Sequence, residues 1–572
     1  MPLMLTGWNR RARLGRKPAL IVALLALAGC VAPSAVEPRP APVAAQPNIV
    51  LIVFEDMSPR IGAFGDPVAT TPVLDGLAQQ SVRYPNTFTT AGVCAPSRSA
   101  LITGVHQQTL GTQHMRTRAG LPGMASGGPI DYDAAPPPAV KAFPELLRSA
   151  GYYTSNNGKT DYQFGEPFTV WDANAPDADW RGRAPGQPFF AMINIMETHE
   201  SYLWPEDRES ANPLVNAITQ RNRRDLAGKQ RVTDPASVTV PPYLPDTPIV
   251  RSDIARQYDN IAFAERKVGT IIARLAAEGL LDQTLVIITT DHGDGLPRMK
   301  RTVYDSGIRV PLMVRYPDGG KAGQIEDRLV SFVDLAPTIL HYAGVEAPGW
   351  IQGRNFLIGE AQDYVFAAAD RHDEVPERTK AVRDGRFKYI RNYMPDLAVL
   401  RPLAFRDAMP TMQEFWRLGQ EGALPPAAQR LATSPRGSEE LYDTLADPHE
   451  IDNLADDPAH RATLVRLRSA MDRWIAQTGD LSAMPERAMI EAMWPGMVQP
   501  VTQAPRITTE SGRVSLTSAT PGASIAYTLD GSAAERGRIY TGPFMPPPDA
   551  VIAARAVRYG YAPSEVSSKR MP

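Results

Sequence analysis

The chain has 572 residues, which at roughly 100–200 residues per domain means two to four domains, or one large domain with an appendage. Hydrophobic residues make up 43% and charged residues 21%, so a packed core is expected and wholesale disorder is excluded. The 60 basic and 62 acidic side chains leave a formal net charge of −2, which argues against nucleic acid as a partner. Two cysteines exclude a disulfide scaffold and a multi-cysteine zinc site.

Residues 1–30 read as a signal peptide. Arg10, Arg11, Arg13, Arg16 and Lys17 form a basic stretch, and Ala19 to Ala28 an apolar one too short to span a bilayer comfortably. Leu27-Ala28-Gly29-Cys30 resembles a bacterial lipobox, which implies that Cys30 is lipidated and becomes the mature N-terminus. The alternative is ordinary secretory cleavage with Cys30 incidental. Residues 31–46, rich in Ala, Pro and Val, suit an extended tether. The expected location is the cell envelope, as a periplasmic or surface lipoprotein held to the membrane by its lipid. Cys94 is then the one thiol of the folded body, there for packing or for chemistry.

Further along, Asn48–Phe54 is a continuous apolar, β-branched run that ends in Glu55-Asp56. Pro72–Ser81 and Ala139–Ala150 suggest helices. Pro188–Ile195 is a second buried strand, followed by Glu197-Thr198-His199. Ser252–Glu278 has helical periodicity, and Thr284–Thr290 is a third strand, with Asp291-His292 directly after it. Val310–Tyr316 suggests another strand and Ser331–Ala343 another helix. This alternation predicts an α/β fold with a mostly parallel sheet covered on both faces. Sites in such sheets form beyond the carboxyl ends of the strands, where these acids and histidines would meet. Residues 364–393 suggest a small antiparallel sheet, 395–437 resist assignment, Ala459–Thr478 is amphipathic, and 486–505 reads as a linker. Residues 506–572 show short strands and turns, a small all-β module.

The most informative segment is Cys94-Ala-Pro-Ser-Arg-Ser-Ala-Leu-Ile-Thr-Gly104. Pro96 suits a first helical turn, which sets Cys94 at a helix N-terminus where free N–H donors and Arg98 would attract a tetrahedral oxyanion. The segment resembles the signature of the type I, formylglycine-dependent sulfatases of the alkaline-phosphatase-like superfamily. Pro47–Asp56, Gly158–Tyr162, Glu197–His199, Asp291–Lys300, Gly307–Pro311 and Glu440–Glu450 resemble further segments of that family in consistent order, over about residues 47–478. The resemblance implies a sulfatase domain at 47–485, with a smaller C-terminal subdomain from about 364. It further implies a divalent metal held by Glu55, Asp56, Asp291 and His292, and conversion of Cys94 to formylglycine by a maturing enzyme. Arg98, Lys159, His199 and Lys300 would be catalytic, and His114 and Arg116 would line the substrate pocket. The implied reaction is hydrolysis of sulfate monoesters or sulfamates on a glycan: one hydroxyl of the hydrated aldehyde attacks sulfur, and the other then expels sulfate.

Three positions depart from the family pattern. Glu55 stands where an aspartate is usual, and His292 where an asparagine is common. The acids suit calcium, while a nitrogen ligand moves the preference toward manganese. Asp161 stands where a histidine is frequent, either orienting the nucleophile as a base or buttressing Lys159. Two rival functions are a phosphonate or phosphate-diester hydrolase of the same superfamily, and a catalytically silent glycan-binding lipoprotein. Thr520–Ser532 with Ile539–Phe544 resembles the immunoglobulin-like module at the end of bacterial chitobiases, which implies a spacer or a binding role and a module removable without loss of hydrolysis.

Overall fold

The structure, a computed structural model, describes residues 46–118, 127–205, 208 and 213–572. The expected signal peptide, Cys30 and all of the tether before Gln46 lie outside the described residues. Among the described residues no helix is long and apolar enough to cross a membrane.

Asn48–Phe54 forms the middle of a seven-stranded sheet. Its two neighbours, Phe189–Ile195 and Thr284–Thr290, both run parallel to it. Tyr153–Asn156 and Ala173–Asn174 extend one side in the same direction, and Met313–Arg315 joins the other side antiparallel, followed by Val82–Arg83. Alternate side chains of the central strand feed opposite faces. Ile49, Leu51 and Val53 pack with Phe143, Leu335 and Ile339. Val50, Ile52 and Phe54 pack with Ile261, Val268 and Leu275 of the 30-residue helix Pro248–Ala277. Strands buried on both faces need apolar residues at every position, which is why they read as unbroken runs.

Val365–Ala369, Thr379–Arg383, Phe387–Asn392 and Glu439–Asp443 form an antiparallel sheet, covered by the helix Arg461–Thr478 through Leu464, Leu467 and Trp474. Residues 395–437 hold two helices, Pro410–Glu421 and Pro426–Ala432, whose Met412, Phe415 and Leu431 pack against Ile254 and Tyr258. Each opens on a proline, tolerated there because a first-turn N–H has no helical partner.

One expectation about the C-terminus needs correction. Residues 486–505, expected as a linker, contain the helix Glu486–Met493, with Met489, Ile490 and Trp494 buried against Tyr132. Residues 506–572 do form a β module with its own core around Val514, Ile525 and Ile552. It packs directly on the body, and residues 46–572 are one compact unit. Tyr559 is fully buried in the core of the main sheet and stacks on Phe164 at 5.0 Å. Its hydroxyl donates to Glu145 Oε2 at 2.8 Å, and Ser524 Oγ donates to the other oxygen of the same carboxylate. Gly560 lets the backbones meet, since a Cβ there would lie 2.3 Å from the Ala134 carbonyl oxygen. The module therefore completes the body's core.

Candidate active site

Three parallel strands deliver acids, histidines and an asparagine to one rim. Glu55 and Asp56 follow the central strand, Asp291 and His292 follow Thr284–Thr290, and Asn194 lies within the third strand with His199 just beyond it. Asp56 takes a left-handed backbone, φ 44°, a conformation non-glycine residues hold only when their surroundings fix it. The fixing bonds are Asp56 N to Asp291 Oδ1 at 3.0 Å, Glu200 N to Asp56 Oδ2 at 2.7 Å and Gln257 Nε2 to the Asp56 carbonyl at 2.9 Å.

Cys94 opens a wholly buried helix, Cys94–Thr103. Ser97 Oγ donates to the Asp291 carbonyl at 2.6 Å and ties the helix start to the rim. Gly92, two residues earlier, runs so close to Thr302 that a Cβ would lie 2.2 Å from its carbonyl oxygen. Sγ of Cys94 lies 3.3 Å from His292 Nε2, 3.7 Å from Glu55 Oε2 and 3.9 Å from Asp56 Oδ1. Burial, then the charges of Asp291 and Glu55, push the thiol well above its ordinary range against the pull of two lysines. An unmodified Cys94 is therefore a poor nucleophile.

Arg98 spans the rim: Nε meets Asp291 Oδ2 at 3.1 Å, Nη1 meets Asn194 Oδ1 at 2.8 Å, and Nη2 meets Glu55. Lys159 lies 3.2 Å from Glu55 Oε2 and 2.9 Å from Asp161 Oδ2. Lys300 lies 2.6 Å from Asp56 Oδ2 and 2.9 Å from Glu200 Oε1. Three rim carboxylates thus meet three fixed cations. Burial opposes the charge on Asp56, but Lys300, His199 and His292 hold its carboxyl well below the usual range. At Asp161 burial is likewise outweighed, by Lys159 first and then Arg98 and Arg116, which keep it at about 2. So low a carboxyl is a poor base at neutral pH, and the contact with Lys159 is that of a buttress.

The site fits a cation. His292 Nδ1 lies 2.8 Å from the Gly293 carbonyl and so carries the hydrogen, which leaves Nε2 facing Asp56 Oδ1 at 3.1 Å and Asp291 Oδ1 at 3.6 Å. Ligand atoms of Asp56, Cys94, Asp291 and His292 lie within 4.8 Å of one another, and so do those of Glu55, Asp56, Cys94 and His199. Acceptors that converge this closely need a proton or a metal between them.

His199 Nδ1 accepts from Ser201 N at 3.2 Å, so its hydrogen sits on Nε2. Burial, then Lys300, lowers it to about 4, and the ring is a neutral N–H donor at pH 7. Arg116 pairs with Asp373 and lies 5.2 Å over the Phe405 ring, whose edge meets His199. It therefore stands at the margin of the site. His114 is buried beside Glu486 and Arg371 rather than the rim acids, and neither ring nitrogen has a hydrogen-bond partner among the described residues. Sequence reading missed Asn194, Glu200 and Arg301. Arg301 grips Glu200 with two hydrogen bonds of 2.8 and 2.7 Å, and Glu200 in turn holds Lys300.

A buried thiol position, a cation-ready rim and three fixed positive side chains around one point define a hydrolase for tetrahedral anionic esters. Comparison with known proteins narrows the class. The sulfatase family model matches residues 47–183 and 175–345, the N-sulphoglucosamine sulphohydrolase C-terminal model matches 298–398, and the chitobiase/beta-hexosaminidase C-terminal domain matches 504–568. An ulvan-active sulfatase of Formosa agariphila is 39% identical over 547 residues, covering 91% of this chain and 90% of its own length. Human N-sulphoglucosamine sulphohydrolase is 27% identical, covering 76% of this chain and 90% of its own. A solved structure in complex with its substrate D-glucosamine-2-N,6-O-disulfate shares the fold, with a TM-score of 0.52 and 16% identity over 77% of this chain and 100% of that one. The chain belongs to the sulfatase family, and it is a sulfuric ester hydrolase.

Proposed function

We propose that this sulfatase removes sulfate from an anionic polysaccharide, through a formylglycine made from Cys94 and a divalent cation held by Glu55, Asp56, Asp291 and His292. The carrying observation is the 39% identity along nearly the whole chain to a sulfatase named for ulvan. The relative named for N-sulphoglucosamine, with the matching C-terminal model, supports sulfamates as a second substrate type. Three carboxylates and one imidazole suit calcium, with manganese the alternative. Export as a lipoprotein anchored through Cys30 completes the reading, supported by the Leu27–Cys30 sequence.

A hydrated aldehyde at Cys94 would supply the oxygen nucleophile that the buried thiol does not, and a cation held by the rim acids and His292 would supply positive charge against the sulfate. The chain's own residues do the remainder. Arg98 and Lys300, paired with the rim carboxylates, hold those acids in a fixed arrangement that requires no reorganisation during reaction. Lys159, fixed by Glu55 and Asp161, adds to it. His199 presents Nε2–H as the donor for the departing alcohol oxygen.

Mass spectrometry of the Cys94 peptide from the native host, with assays on O-sulfated and N-sulfated saccharides, tests this reading. The expected peptide carries formylglycine, and Cys94→Ala loses several orders of magnitude in kcat while melting normally. More than a few per cent of activity in purified Cys94→Ala refutes it. Chelation is expected to lower both activity and melting temperature, with calcium restoring both, because a cation bound only by the folded rim stabilises it by mass action. Indifference to chelators would remove these four residues from the metal assignment.

A further inference from the structure

At the end of the sheet opposite the catalytic rim, the body and the β module border an open cleft of about 680 Å³. Gly151 and Tyr152 precede the strand Tyr153–Asn156, and Gln187 precedes Phe189–Ile195. The cleft thus borders the amino-terminal ends of strands whose other ends lead to the active site. Its size falls within the range of small-molecule sites, about 300–1,000 Å³. The cleft is preformed, because Arg148 bridges the two walls: Nη2 donates to the Gly537 carbonyl at 2.8 Å and Nε meets Asp172 Oδ1 at 2.6 Å.

Three arginines and two aspartates line it, and their partners decide its character. Asp172 is taken by Arg148 and by Thr154 N at 2.9 Å. Asp530 accepts from Ser532 N at 3.0 Å and Ser532 Oγ at 2.6 Å. Arg148 is committed to the bridge. Arg536 and Arg538 are exposed, and neither guanidinium has an ion-pair or hydrogen-bond partner among the described residues. Two guanidinium groups without partners therefore outnumber the one lining carboxylate that no cation pairs, Asp530, and the cleft keeps a net positive charge.

We propose that this cleft binds an anionic segment of a polysaccharide, bearing sulfate or carboxylate groups, at a distance from the ester being hydrolysed. Guanidinium groups suit both anions through paired hydrogen bonds. The proposal rests on the polysaccharide function and gives the module a role in it, holding a polymer while the opposite rim works on it. Hydrolysis of small esters does not involve the cleft.

Affinity electrophoresis of the full chain in gels containing dextran sulfate or neutral dextran tests it. The variant is Arg536→Ala/Arg538→Ala, and the control is Arg461→Ala/Arg487→Ala, which removes the same charge from exposed positions on the body. The cleft pair is expected to weaken dextran sulfate binding roughly fivefold or more and to flatten its salt dependence, with small-ester kcat/KM within about twofold of the parent. The control pair should leave binding near the parent value. Equal weakening by both pairs, or by neither, overturns the proposal. If the parent proves inactive on every sulfate ester while only the cleft pair loses dextran sulfate, the hydrolytic reading fails and the cleft stands.

Discussion

Arg98 has no exposed surface, and its guanidinium hydrogen bonds run to three rim side chains, Asp291, Asn194 and Glu55. Removing it takes one buried partner from each of two carboxylates, a kind of loss that costs roughly 3–5 kcal/mol in comparable pairs. Arg98→Ala should therefore lower stability by that order in urea melts without added metal, and abolish turnover. Arg98→Lys should recover part of the stability and little of the activity, because an ammonium cannot bridge three acceptors in fixed directions. Equal melts for parent and Arg98→Ala would show that the rim does not depend on it. Arg98 itself was legible in the sequence because a rare pattern surrounds it. Asn194 was legible in principle, as the one polar residue in the strand Phe189–Ile195. The Arg301–Glu200 grip was not, since each is an ordinary charged residue locally and only the fold joins them across 101 positions.

Elements differed in how openly they declared themselves. Central strands are legible because burial on both faces demands continuous apolar runs. The helices Pro410–Glu421 and Pro426–Ala432 were hidden because prolines that break helices also begin them. At the end of the strand Val365–Ala369, Asp370 shows what burial does to one carboxyl. Burial first, and Asp480 after it, raise Asp370 to about 7 against the pull of Lys380. The ordinary value in an unfolded chain is about 3.9. Between these limits the folded protein holds a proton that the unfolded chain has lost, so this group's contribution is full in acid and disappears as pH rises toward 7. Asp370→Asn cannot ionise and escapes that loss. Its stability relative to the parent should widen by roughly 2 kcal/mol between pH 5 and pH 8 in urea melts. Parallel pH dependence of the two proteins would rule the account out.

At the scale of the whole molecule, the module and the body share one core. Tyr559 adds a stacked ring, a hydroxyl bond to Glu145 and a lysine 5.1 Å over its ring. Tyr559→Ala should lower stability by about 3–5 kcal/mol, as large-to-small changes in packed cores do. It should also lower activity on small esters through the folded fraction rather than through KM. A melt unchanged from the parent would restore the picture of a detachable module. Nothing in the local pattern around Tyr559 announces this, because a tyrosine before Gly560 reads as a turn residue until its partner, Phe164, is known.

The shared core also sets an order in time. A ribosome finishes Cys94 hundreds of residues before Tyr559, and until Tyr559 arrives the body has a hole beside Phe164. Cys94 is 1% exposed in the folded chain. That burial favours a nascent or loosely formed chain as the substrate of the modification proposed for it. A residue that fills the core beside Phe164 is thus made long after the segment that holds Cys94.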